Sequence, residues 1–222
     1  MKNLSFVVVA LLFFTNINAQ INFEPAYFIN NTDVKTDCFI RNVDWKNNPT
    51  SFEYKLGKDD DSRIASLSDI KEFKVNNESR YVRAKVRMNR ATDNNNALDT
   101  NKDIVFKEEE VFLKTLSEGD ALLYYFEDNN LRKFFYQVDN SNIEPLIYKR
   151  YRKSLTEIAS INTFRQQLWN ELKCDEISRN FVNSVNYKID DLIDIFEKYN
   201  ECKDPTYAND QKGRQNLGST YP

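Results

Sequence analysis

Two hydrophobic periods divide the chain. Before about residue 152 apolar positions recur every second residue, and beyond about 160 every third or fourth. Val82, Ala84, Val86 and Met88 alternate with Arg83, Lys85 and Arg87, the pattern of a strand with one face in a core and one in water. Leu122, Tyr124 and Phe126 precede Asp128-Asn129-Asn130, and Phe134, Tyr136 and Val138 follow it, which predicts a hairpin. The runs Ala26–Asn30, Thr36–Trp45, Phe52–Leu56, Ile70–Val75 and Val111–Leu116 fit the same period. Between them stand asparagine pairs such as Asn30-Asn31, Asn47-Asn48 and Asn76-Asn77. Asparagine tolerates left-handed backbone and bonds its own main chain, so these pairs read as turns. No helical period long enough for a parallel crossover intervenes. The expectation is an antiparallel β domain over 20–152, of eight to ten strands, curled or two-layered, with a polar loop at 91–103.

Phe164, Leu168 and Leu172 recur every four residues, and Ile189, Leu192, Ile193 and Phe196 at helical spacings. They predict two amphipathic helices in a small helical hairpin unit over 153–203, with Lys153–Ile161 as the connection from the sheet. The fold class expected is therefore α+β. Residues 204–222 have few apolar positions and read as a flexible polar tail.

The first 19 residues break the alternation. Lys2 precedes an apolar run from Leu4 to Phe14, and Ala19 offers a small residue for cleavage, so 1–19 read as a signal peptide. The run is too short for a spanning helix, which needs about 20 apolar residues. Cleavage leaves Gln20 first and predicts an exported protein of the periplasm or the periplasmic face of the outer membrane. No later run is apolar enough for an integral membrane helix. A transmembrane barrel is disfavoured as well, because Leu122–Phe126 and Phe134–Tyr136 are apolar on both faces, whereas a barrel lumen is polar.

Composition narrows the chemistry. The chain has 222 residues, no histidine, four glycines, three cysteines and a formal charge of −3. No Ser-His-Asp triad, Cys-His dyad or His-ligated metal can be built. Gly213 to Thr220 mimics a phosphate loop but lacks its lysine and its strand–loop–helix frame, so no nucleotide and no cofactor is expected. Asp59-Asp60-Asp61 lacks the spacing of a calcium loop and reads as a solvated hairpin tip, leaving no metal site. The mild acidity argues against nucleic acid. Arg80, Arg83, Lys85, Arg87 and Arg90 form a basic row that Glu108-Glu109-Glu110 on a neighbouring strand can balance. Cys174 and Cys202 close the two helices, and in an exported protein a disulfide is expected between them, with Cys38 a buried thiol. The aromatic hairpin adds a candidate partner or ligand surface, with Tyr125 and Phe135 on one face and Arg83, Lys85 and Arg87 nearby.

Four stretches carry a family resemblance. They are AYFINNTDVKTDCFIRNVDWKNNPTSFEYK (26–55), DIKEFKVNNESRYVRAKVRM (69–88), EEVFLKTLSEGDALLYYFEDNNLRKFFY (109–136), and FRQQLWNELKC with YNEC (164–202). Together they resemble the N-terminal periplasmic region of envelope proteins of the Bacteroidetes, in many of which an outer-membrane β-barrel follows. The turn Asp44-Trp45-Lys46-Asn47-Asn48-Pro49 matches the family's pattern, and Ala26 stands where glycine is usual. The barrel is absent from this chain, which implies a stand-alone or truncated version. The resemblance carries no catalytic residue. It implies an exported, non-catalytic interaction module whose partner is an outer-membrane protein or another envelope component. A carbohydrate- or peptide-binding protein using the aromatic hairpin is the alternative, and a histidine-free hydrolase the second.

Overall fold

The computed structural model describes residues 22–43, 45–75 and 79–207. Residues 1–19 and Gly213 to Thr220 lie outside them. A curled antiparallel sheet of ten strands holds β1 (Phe23–Asn30), β2 (Lys35–Arg41), β3 (Ser51–Lys55), β4 (Arg63–Ser66), β5 (Ile70–Val75), β6 (Ser79–Met88), β7 (Lys107–Ser117), β8 (Ala121–Asp128), β9 (Leu131–Val138) and β10 (Glu144–Pro145). Their spatial order is β10-β9-β8-β7-β6-β5-β1-β2-β3-β4. A second sheet pairs β11 (Lys149–Arg152) with β12 (Ile158–Ile161). Three helices follow, α1 (Thr163–Glu171), α2 (Arg179–Ser184) and α3 (Ile189–Lys203).

The turns are asparagine turns for a physical reason. Asp128 pairs with Leu131 across a two-residue turn in which Asn129 has φ 48° and Asn130 φ 69°. Two positive φ values match the twist of the flanking strands, and asparagine tolerates them better than most residues. Asp139 and Asn140, with φ 48° and 58°, turn the chain again after β9. At the β1–β2 turn the Asn30 carbonyl Oδ1 instead accepts from the Thr32 and Val34 amides.

Alternation sorts the side chains onto two faces. One face carries Phe28, Cys38, Phe52, Phe73, Tyr81 and Phe112 inside the curl of β1–β7. On β8 and β9 the same face presents Leu123, Tyr125, Phe134 and Tyr136 to the helices, where Phe164, Leu168, Leu192 and Phe196 cover them. The helical segment thus buries its apolar stripe on the sheet. The other face packs Val86, Met88, Leu113, Tyr124 and Phe135 with Ile143. β10 returns to β6 around this core, and on the opposite face of the strands Glu144 meets Arg87 at 2.8 Å.

Three expected boundaries differ. Lys153–Ile161 is the tip and second strand of the β11–β12 hairpin, where Lys149 pairs with Ile161, so it is more than a connection. The segment after Cys174 contains α2, whose start is capped by the Ser178 hydroxyl accepting from the Phe181 amide. The strand expected over Thr36–Trp45 ends at Arg41, because the chain then leaves the sheet to bridge it elsewhere.

That bridge is made by Asn48. Its Nδ2 donates to the carbonyls of Phe112 (2.8 Å) and Tyr125 (3.0 Å), and its Oδ1 accepts from the Glu127 amide (2.9 Å). It fills the ladder between β7 and β8 beyond the Lys114–Tyr125 pair. Nearby, Trp45 meets Phe73 and Tyr81 edge-on, each at 5.8 Å between ring centroids. Asn48→Asp would turn a carboxylate oxygen toward two carbonyls, and we expect a loss of about 2–3 kcal/mol in urea unfolding.

Cys174 and Cys202 are joined in a disulfide, with Cα atoms 6.4 Å apart. Cys38 is free and buried, and burial pushes its thiol up to about 12. After α3 residues 204–206 are exposed, but Tyr207 is buried, and its hydroxyl lies 3.2 Å from the Ser117 hydroxyl. No helix among the described residues is long and apolar enough to cross a membrane.

Candidate functional site

The aromatic hairpin does not present the surface expected of it. Tyr124 pairs with Phe135 and Tyr125 with Phe134, so Tyr125 and Phe135 point to opposite faces. Tyr125 is 6% exposed beneath the helices and Phe135 is 1% exposed in the other core. The register of the two-residue turn decides this, and all six hairpin aromatics are buried. Burial, reinforced by the Glu127 carboxylate that its hydroxyl bonds, raises the Tyr125 phenol.

The basic row is neutralised on its own sheet. Lys85 meets Glu108 at 2.8 Å, Arg87 meets Glu144, and Arg83 lies 3.8 Å from Glu110. Arg83 also donates to the carbonyls of Leu67 and Ser68 and to Asn31. Arg90 bridges Glu109 (2.6 Å) and Asp128 (2.7 Å). The three site cations therefore sit together on one strand face, apart from Phe135 and engaged in pairs.

Arg80 belongs to the opposite face, where it meets Glu72 at 2.6 Å and Glu118 at 3.3 Å. Tyr27 donates to the same Glu72 carboxylate at 2.7 Å. Burial works to raise the Glu72 carboxyl, but the bonds from Arg80 and Tyr27 outweigh it and hold it below its ordinary range. Burial and that carboxylate push the Tyr27 phenol up to about 12. A carboxyl depressed in the fold adds stability above its unfolded value and loses it as pH falls through the folded one. Glu72→Gln should therefore flatten the acid limb of a stability–pH profile measured from pH 7 downward.

Beneath the 91–103 loop lies a buried polar cluster. The Lys133 ammonium, 5% exposed, donates to the Ala91 carbonyl at 3.0 Å. Burial lowers its pKa against the pull of Asp93, and Lys149 lowers it further. Burial likewise raises the Asp93 carboxyl, one oxygen of which has no hydrogen-bond partner. Lys149, 3% exposed, donates to the Asp103 carbonyl and pairs with Asp99. Arg150 and Arg152 donate to the carbonyls of Asp93 and Asn95. The adjoining cavity holds about 10 Å³, the space of one water. These groups hold the loop down.

Two uncovered surfaces were not foreseen. The first is the free end of the sheet. β4 is its last strand, and Ile64 there is 77% exposed. Beside it a cleft of about 220 Å³ is lined by Arg41, Val43, Trp45, Phe52 and Glu53. Arg41 donates to Glu53 at 2.9 Å, while its Nε is buried without a partner. The second is the open face of β1 and β2, a groove of about 530 Å³ bordered by Tyr27, Lys35, Asp37, Phe39 and Lys74. The only hint in the sequence is the aromatic residues Phe23, Tyr27 and Phe39 set among lysines.

Asp59-Asp60-Asp61 lies in the exposed β3–β4 connection, where an Asp60 carboxylate oxygen accepts from the Gly57 amide at 2.9 Å. Among the described residues no group of three His, Cys, Asp or Glu side chains is placed to hold a metal ion. Comparison of the chain with protein-family models, curated proteins and solved structures found nothing that it matches.

Proposed function

We propose that the protein is an exported, non-catalytic interaction module of the periplasm, associated with the outer membrane, and that it engages a protein partner along β4. The observation that carries this reading is the sheet's free end, where Ile64 is 77% exposed next to the Trp45 cleft. A strand that ends a sheet presents unpaired main-chain groups, and an added strand bonds to them while its side chains fill adjoining pockets. The signal-like first 19 residues and the resemblance to Bacteroidetes envelope proteins support the compartment.

Crosslinking in the native envelope, read by mass spectrometry, tests it. Crosslinks to one partner should concentrate on 41–53 and 63–66. Ile64→Lys should abolish them, since a charge on an edge strand opposes pairing. Crosslinks that map elsewhere and survive Ile64→Lys would refute the edge as the docking site.

A further inference from the structure

The open face of β1–β3 combines aromatic rings with lysines in an unusual way. Pro25 pairs with Phe39, Tyr27 with Asp37 and with Lys74, and Phe39 with Lys55, so all these side chains share one face. Three lysines rest on rings. Lys35 lies 4.3 Å from the Tyr27 centroid, Lys55 4.9 Å from Phe23, and Lys58 5.9 Å from Phe39. An ammonium held by a ring quadrupole is positioned without being neutralised. Of these three, Lys35 alone has a carboxylate within 4 Å among the described residues, Asp37 at 3.7 Å. Lys74 completes the groove. The neighbouring acids Glu53 and Glu72 are engaged by Arg41 and Arg80. On the strands Lys35, Lys55 and Lys74 thus outnumber Asp37, while Lys58 adjoins Asp59-Asp60-Asp61 in the β3–β4 connection.

We propose that this face binds an acidic polysaccharide, a polymer of sugar rings bearing carboxylates. Phe23 and Tyr27 are four residues apart on β1, about 13 Å along an extended strand. Phe39, opposite Pro25, falls midway between them. That row is longer than one sugar and suits a chain of them. A uronate carboxylate can draw each ammonium off its ring, and the ring face so freed offers an apolar platform for the sugar's C–H groups. Phe23, Tyr27 and Phe39 are half-buried, and of the large apolar side chains lining the groove Leu56 alone stands out, at 42% exposed, too little for a lipid wedge. Duplex nucleic acid, with about one charge per 1.7 Å of axis, would meet the repulsion of the net negative chain more strongly than a polymer with one carboxylate per ring. This site is separate from β4, so the two proposals stand or fall independently.

The test is affinity electrophoresis of the purified chain through gels containing polygalacturonate, with dextran, phosphatidylglycerol vesicles and poly(dT) as parallel probes. The chain should be retarded by polygalacturonate, less so as salt rises, and should pass dextran freely. Charge reversal of Lys55, Lys58 and Lys74 to glutamate should weaken retardation by about tenfold or more, as expected from three exposed charge contacts. Glutamine at the same three positions should weaken it less, and Lys102→Glu, in the exposed 91–103 loop, should leave it unchanged. The proposal is overturned by no retardation, by equal retardation in dextran, by stronger binding to vesicles or poly(dT), or by full retardation of a folded triple glutamate variant.

Discussion

Asn200→Ala is expected to destabilise the protein by about 3–5 kcal/mol, read by urea unfolding. Asn200 is 1% exposed on α3 and stands in for a strand at the end of β8. Its Oδ1 accepts from the Ala121 amide at 2.8 Å, and its Nδ2 donates to the Ala121 carbonyl at 2.9 Å and to the Ser117 hydroxyl at 3.3 Å. Truncation leaves a buried donor and a buried acceptor without partners, each costing about 1–3 kcal/mol, and opens a small cavity. Gly119 supplies an internal check. A Cβ at that position would lie 2.5 Å from the Asn200 Cγ, far inside van der Waals contact. Gly119→Ala should therefore be costly in the native chain and cheaper in the Asn200→Ala background, where alanine has no Cγ and only the backbone strain of φ +159° remains. Equal costs in both backgrounds would mean that the strain at Gly119 comes from something other than Asn200.

The second large effect concerns the bridge between Cys174 and Cys202, which closes 28 residues of chain. In the chain-entropy account, closing a loop of that length restricts the unfolded ensemble and stabilises the fold by about 3–4 kcal/mol. The double variant Cys174→Ser/Cys202→Ser should lose that amount in urea unfolding. Intact protein measured with reductant should fall to the same value, which separates the bridge from the packing of the serines. Non-reducing peptide mapping should find Cys38 as the free thiol. Amide exchange in the reduced form should quicken first at α1 and α3, which the bridge ties together.

Much of the sheet can be read from alternation, because strands half in a core must alternate. β6, β8 and β9 are examples, with Val82 to Met88 the clearest. Elements with nothing to alternate escape such reading. β11 is Lys149-Arg150-Tyr151-Arg152, polar at nearly every position, and it forms because its cations reach loop carbonyls. α2 spans six residues, too few for a helical period. The placement of Tyr125 and Phe135 required the register, which a turn of two residues sets and a turn of three would have reversed. Asparagine marks turns well at 129 and 130, yet at 48 and 200 the same residue bridges main chains far apart in sequence. Composition cannot separate those roles, since both use the amide's resemblance to a peptide group. The lysine–aromatic face cannot be read from the sequence because its members come from four strands and a loop.

The 91–103 loop is gripped by its main chain. Lys133, Arg150, Arg152 and Lys149 reach the carbonyls of Ala91, Asp93, Asn95 and Asp103, and the Arg152 amide donates to the Asp99 carbonyl. A carbonyl is the same on every residue, so this part of the grip does not depend on side chains, although Asp99 adds its pair with Lys149 and Asn94 and Asn101 bond loop amides. Asn95, Asn96, Thr100 and Lys102 point to solvent from a backbone held in place. Such a segment can diverge in sequence, or accept a grafted epitope, without losing its shape. The requirement for conservation moves instead to the four cations beneath it.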